Sequence, residues 1–159
     1  MIQSSNRFLV FQLETEMYAV PLHKVREVIA PTEVTKVPHT PSHFKGVMNL
    51  RGQVISVIDL RLKFKMKVAA EAHAEMAIII LDFGSLSLGI IVDTVSAVLG
   101  LKEDQISPSP DIETSISKDF ITGIARVENK LIVILDIEKS LNIAELMMMR
   151  APQTTAKAS

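Results

Sequence analysis

The feature that most constrains this chain is that it repeats itself. With residue 8 laid on residue 78, FLVFQLETEMYAVPLHKVREVI (8–29) lies over IIILDFGSLSLGIIVDTVSAVL (78–99). Phe8, Val10 and Tyr18 meet Ile78, Ile80 and Leu88, and Val25, Val28 and Ile29 meet Val95, Val98 and Leu99. With residue 44 laid on residue 121, FKGVMNLRGQVISVIDLRLKF (44–64) lies over ITGIARVENKLIVILDIEKSL (121–141). Gly46 then meets Gly123, Asp59 meets Asp136, and Gly52 meets Asn129. Glycine and asparagine are the residues that most easily take the left-handed conformation of a tight turn, so the last match places a hairpin turn in both copies. A unit of roughly 60 residues closes a poor core alone. The two copies are therefore expected to pack as one body, with strands shared between them.

Within each copy the apolar pattern predicts strand-strand-helix-strand-strand. Residues 8–13 and 17–20 read as strands around the polar turn Glu14-Thr15-Glu16. After Pro21, the residues Leu22, Val25, Val28 and Ile29 fall on one helical face. The stretch 31–43 carries three prolines and excludes a long regular element. A hairpin hinged at Arg51-Gly52-Gln53 follows. Arg61, Lys63, Lys65 and Lys67 then alternate with apolar residues, as a charged edge strand would. Residues 68–75 read as a linker, 107–118 as a surface loop, 136–149 as a C-terminal helix and 151–159 as a disordered tail. These readings give one subdomain at about 8–66 and another at about 77–141.

Composition narrows the function classes. Lys and Arg total 17 against 18 Asp and Glu, a formal charge of −1, which offers no global attraction to nucleic acid or anionic lipid. There is no cysteine, hence no disulfide, thiolate metal site or thiol nucleophile. Residues 1–7 lack the basic start and apolar run of a signal peptide. The longest wholly apolar run, 76–81, falls far short of the roughly 20 residues that span a bilayer. The expectation is a cytoplasmic protein without membrane insertion.

Candidate chemistry is sparse. His39 and His43 stand four apart, but Pro41 lies between them and no third ligand follows at a useful distance, so no metal is expected. Asp59 and Asp136 recur at matching repeat positions, which favours a structural duty such as bonding backbone amides at a strand end over a catalytic pair. No nucleophile elbow, phosphate loop or dinucleotide fingerprint appears, so neither an enzyme nor a cofactor is expected. The lysines of 61–67 alternate with mainly aliphatic residues rather than with a series of stacking aromatics, which disfavours nucleic acid. Arg51, by contrast, meets Glu128, and Asn49 meets Arg126. Core and turn positions repeat while exposed strand-end positions diverge, as they would in two halves facing different partners. An interaction protein is the reading.

The motif GVMNLRGQVISVIDLR (46–61) resembles the CheW family's Gly-Val-x-Asn-Leu-Arg-Gly-x-x-x-Pro-(Val/Ile)-(Val/Ile)-Asp-Leu-Arg. FLVFQL, YAVPLHKVREVI, LGIIVDTVSAVLGL and FITGIARVENKLIVILDIEKSL are similar to further family segments, in family order, over about 7–145. The resemblance implies a mainly β fold of two small five-stranded barrels, similar to Src-homology-3 domains, around a shared interior. It implies a non-catalytic coupling protein that joins the cytoplasmic tip of methyl-accepting chemotaxis receptors to the regulatory domain of the histidine kinase CheA. Such a protein is recruited to membrane receptor clusters and assembles with the kinase in rings and arrays. A coupling protein of a related pathway, controlling pili or gliding, is the alternative. Carried over position by position, Arg51, Val25, Glu27, Gly46, Gly89, Val95 and Val98 match residues tied to receptor and kinase coupling. Ser56 departs from the pattern, standing where the family usually has proline.

Overall fold

The computed structural model describes residues 7–64, 66, 76–84, 86–108 and 118–141. The first copy contributes β1 (Arg7–Leu13), β2 (Glu16–Pro21), β3 (Val25–Ile29), β4 (Phe44–Leu50), β5 (Gln53–Asp59) and the short helix α1 (Leu60–Lys63). The second contributes β6 (Ala77–Asp82), β7 (Ser87–Val92), β8 (Thr94–Gly100), the two-residue β9 (Ile106–Ser107), β10 (Ile121–Val127), β11 (Lys130–Leu135) and α2 (Ile137–Leu141). The protein is mainly β, as expected.

The strands form two sheets, ordered β8-β1-β2-β11-β10-β9 and β3-β6-β7-β5-β4. Each sheet takes its first hairpin from one copy and its remaining strands from the other. Both sheets are thus shared between the two copies. The hydrogen-bonded order leaves both sheets open rather than closed into barrels. Their registers match position for position. Ser56 pairs with Leu88 in one sheet and its equivalents, Val133 and Tyr18, pair in the other. The irregularities repeat too: bulges fall at Arg26 and Ser96, and again at Lys45 and Thr122.

Alternating side chains divide the apolar residues among three clusters. Phe8, Val10, Ala19, Ile132 and Ile134 pack together on one face of the first sheet. Met48, Ile55, Val57, Ile78 and Ile80 do so on one face of the second. The opposite faces, with Leu9, Phe11, Leu13, Tyr18, Ile58, Ile79, Leu88, Ile90, Val133 and Leu135 among them, merge into one larger core between the sheets. Neither copy could cover that core alone, which is the physical reason for the exchange of hairpins.

Two sequence expectations are corrected. Residues 22–29 form a single 3-10 turn, Leu22–Lys24, and then strand β3, and the equivalent stretch of the second copy is β8. β-branched Val25, Val28 and Ile29 suit a strand, and pairing with β6 supplies the partner that a helix would forgo. Arg61 and Lys63 lie in α1 rather than on a charged strand: Asp59 caps α1, accepting the Arg61 amide at 3.0 Å, and Arg61 is buried. Lys65 and Lys67 lie outside the described residues, as do the linker 68–75, most of the loop 107–118, the helix expected beyond 141 and the tail 151–159.

Candidate interaction site

The β4–β5 hairpin turns on two residues, Arg51 and Gly52, between the paired Leu50 and Gln53. Both turn residues have positive φ, 51° and 86°, as tight hairpins of right-handed strands require. Asn49 Oδ1 accepts the Gly52 amide at 2.9 Å and fixes the turn. Gln53, expected in the hinge, opens β5. The second copy builds the same turn from Glu128 and Asn129, with φ of 48° and 68°.

From the tip, Arg51 Nη2 is ion-paired with Glu27 Oε2 on edge strand β3. Arg26, the bulged residue beside Glu27, donates to Gln53 Oε1 at 2.9 Å and to Ser87 Oγ at 3.4 Å. These bonds tie the β3 edge to the hairpin at the far side of the same sheet. In the other sheet the equivalents of Arg51, Glu27 and Arg26 are Glu128, Ala97 and Ser96, so the linkage cannot form there.

The remaining expected residues separate by environment. Val25 lies beside Glu27 and packs against the shared core. Gly46 is a backbone contact point: its φ is 137°, and a Cβ there would lie 2.0 Å from the Thr35 carbonyl oxygen. At Gly89, buried in β7, a Cβ would lie 2.9 Å from Ile78 Cγ2. Val95 packs on the shared core from the other sheet, and Val98 faces outward on β8, 49% exposed. Arg51, Glu27 and Val25 are thus brought together, whereas Val95 and Val98 belong to the opposite sheet.

Among the described residues, the large exposed apolar side chains are Val28, Val54, Val98 and Leu131. They form two equivalent pairs under the repeat, Val28 with Val98 and Val54 with Leu131. Each sheet thus offers solvent an apolar residue on its edge strand and another just past its hairpin turn. Val28, Val54 and Leu131 were absent from the family-based set. Their signal in the sequence is an apolar residue kept in both copies where strand alternation points outward.

Asp59 and Asp136 have structural roles. The Asp59 carboxylate accepts from Arg61 Nε and Nη2 at 3.0 and 2.9 Å, and Asp136 Oδ1 accepts the Lys139 amide at 3.2 Å. Their own amides donate to the equivalent carbonyls of His43 and Phe120, both at 2.8 Å. His39 is exposed with a positive φ of 62°, in the loop before β4. Among the described residues no helix is long and apolar enough to cross a membrane.

Comparison with known proteins agrees with this architecture. The family described as CheW-like domain matches residues 7–145. The chain is 37% identical to a chemotaxis protein CheW of Klebsiella aerogenes over 87% of this chain and 83% of that one. It is 32% identical to a chemotaxis protein CheW of Rhizobium meliloti over 82% and 83% of the two chains. The crystal structure of the scaffolding protein TtCheW from Thermoanaerobacter tengcongensis superposes with a TM-score of 0.75 at 35% identity, covering 83% of this chain and 84% of that one. With its exchanged hairpins and its Asn-Leu-Arg-Gly turn, the chain belongs to the family of CheW-like domains.

Proposed function

We propose that this protein is a non-catalytic scaffold of chemotaxis signalling, joining the cytoplasmic tip of methyl-accepting receptors to the regulatory domain of a CheA-type kinase. The observation that carries the reading is the Arg51–Glu27 pair at the tip of a sheet edge. Arg51 is a charged residue in left-handed backbone, a conformation that costs roughly 1 kcal/mol for a residue with a side chain. Its ion pair is solvent-exposed and returns about 0–1 kcal/mol. Stability does not account for an arginine here, while recognition of a partner does. Gly46 and Gly89 support the surface from beneath, by letting backbone and core side chains approach. Val25, Val95 and Val98 line edge strands on which partners would dock. Single contacts of this kind are weak, and many of them acting together hold an array.

The experiment is binding of the purified protein to the regulatory domain of its cognate kinase, with and without a receptor-tip fragment. Wild type is expected to join both. Arg51→Glu is expected to fold normally and to weaken one contact at least tenfold. Restored binding in the Arg51→Glu/Glu27→Arg exchange assigns the effect to the pair, and continued loss assigns it to direct contact by Arg51. Wild type that binds neither partner overturns the reading.

A further inference from the structure

A cleft of about 250 Å³ lies against the start of β4, lined by Lys36, Val37, Thr40, Pro41, Ser42, Phe44 and Lys45. It is built on two fixed supports. The 31–43 connection is pinned to β4 by Thr35, whose amide and carbonyl both bond Val47, at 2.8 and 2.9 Å. Gly46, without a Cβ, admits the Thr35 carbonyl. Lys45 is the bulged residue of β4: Phe44 pairs with Ile58 and Gly46 with Val57, leaving Lys45 without an opposite number. A bulge re-aims its side chain, and here the lysine lines the cleft.

The chemistry of the lining is one-sided. None of the seven residues is acidic, and neither Lys36 nor Lys45 is ion-paired with any described residue. Two potential donors are already used: Phe44 N bonds the Pro41 carbonyl at 3.0 Å, and Thr40 Oγ1 bonds the Val37 carbonyl at 2.8 Å. The two ammonium groups and the Ser42 hydroxyl remain, beside apolar walls from Val37, Pro41 and Phe44. Inorganic phosphate would engage the cations but leave the apolar walls uncovered. A carboxylate on an aliphatic stem fits both the cations and the walls.

We propose that this cleft binds an Asp or Glu side chain of an acidic segment in a partner protein. The lysines hold the carboxylate, and Val37, Pro41 and Phe44 cover the methylenes behind it. The test uses the full-length protein, isotope-labelled for amide NMR. It is titrated with the peptide acetyl-Asp-Glu-Glu-Asp-amide, with its neutral counterpart acetyl-Asn-Gln-Gln-Asn-amide, and with inorganic phosphate. Saturable shifts confined to amides near residues 36–45 are expected from the acidic peptide alone, weakening as salt rises. Lys36→Gln/Lys45→Gln should weaken the binding at least tenfold and Lys36→Arg/Lys45→Arg should keep it, with the dispersed spectrum of each variant reporting an intact fold. Equal shifts from the neutral peptide, a response to phosphate alone, or indifference to the glutamine variant overturns the proposal. The assay contains neither kinase nor receptor, so its outcome is independent of the coupling reading.

Discussion

Arg61 Nη1 donates to Asp93 Oδ1 at 2.7 Å, joining the helix after β5 to the corner between β7 and β8. The equivalent junction in the other half is held by Lys24 and Glu138 at 3.1 Å. Under the repeat, Glu138 occupies the place of Arg61, and Lys24 stands one residue past the place of Asp93. The same two elements are therefore bridged twice, with the charges reversed. The bridges are not equal. Arg61 and its partner Asp59 are buried, and Asp93 also accepts the Glu14 amide at 2.7 Å, which brings in the β1–β2 turn. Lys24 and Glu138 reach solvent.

Removing the two bridges should have different consequences. Arg61→Ala strands two carboxylates with little access to water and is expected to cost about 3–5 kcal/mol. Lys24→Ala breaks an exposed pair and should cost about 1 kcal/mol or less. Urea unfolding of both variants checks this, and similar midpoints would refute the asymmetry. The bonds from Asp59 hold the Arg61 guanidinium above the usual arginine range, so it stays charged and the bridge should be insensitive to pH in mildly alkaline solution.

Tyr18 supplies an alkaline reporter. It is fully buried, its hydroxyl donates to Glu16 Oε1 at 2.9 Å, and it is the only tyrosine in a chain without tryptophan. Burial, reinforced by Glu16, pushes its ionisation above the ordinary tyrosine range. A folded pKa above the unfolded value of about 10 stabilises fully below that pH, and the contribution is lost as pH climbs beyond it. Tyrosinate absorbance near 295 nm should rise only together with loss of native circular dichroism. Tyr18→Phe should lessen the alkaline destabilisation. Tyrosinate forming near pH 10 in a protein that keeps its native spectrum would contradict the burial argument.

The glycines of the Asn-Leu-Arg-Gly region should separate by what surrounds them. Gly46→Ala drives a methyl into a carbonyl 2.0 Å away in left-handed backbone, and is expected to cost several kcal/mol, about 3 or more. Gly52→Ala meets nothing within 4 Å and should cost about 1 kcal/mol, the backbone term alone. Thermal unfolding distinguishes the two. A coupling defect in Gly46→Ala that disappears when the protein is refolded at low temperature would trace that residue's effect to the fold rather than to contact.

The sequence displayed the repeat, the hairpin turns and the capping aspartates because each depends on near neighbours. Gly52 and Asn129 announce a turn by their own backbone preferences, and Asp59 acts on an amide two residues away. What it hid depends on distant partners. Leu22, Val25, Val28 and Ile29 fit a helical period, and only β6, far along the chain, makes β3 a strand. Arg61 alternates with apolar residues like a surface cation, and its buried guanidinium is held by Asp59 together with Asp93, the latter 32 positions away. The Arg51–Glu27 bond is likewise hidden, although both residues belong to family motifs: 24 positions separate them, and only the fold brings the β4–β5 turn to β3.

The repeated exposed valines yield the last prediction. Val28 is 41% exposed and Val98 is 49% exposed, at equivalent places on the two edge strands. Glutamate there faces water and loses little packing, so Val28→Glu and Val98→Glu should each change stability by roughly 0.5 kcal/mol or less. If these strands carry the partner contacts, each charge should nevertheless weaken binding, because a carboxylate must then be desolvated at the interface. The two variants sit on different sheets, so they should weaken different contacts. Parallel unfolding and binding measurements with the kinase regulatory domain and the receptor-tip fragment test this. Native stability with binding unchanged to both partners would remove β3 and β8 from the interface. Loss of the same contact in both variants would mean that one partner spans the two sheets.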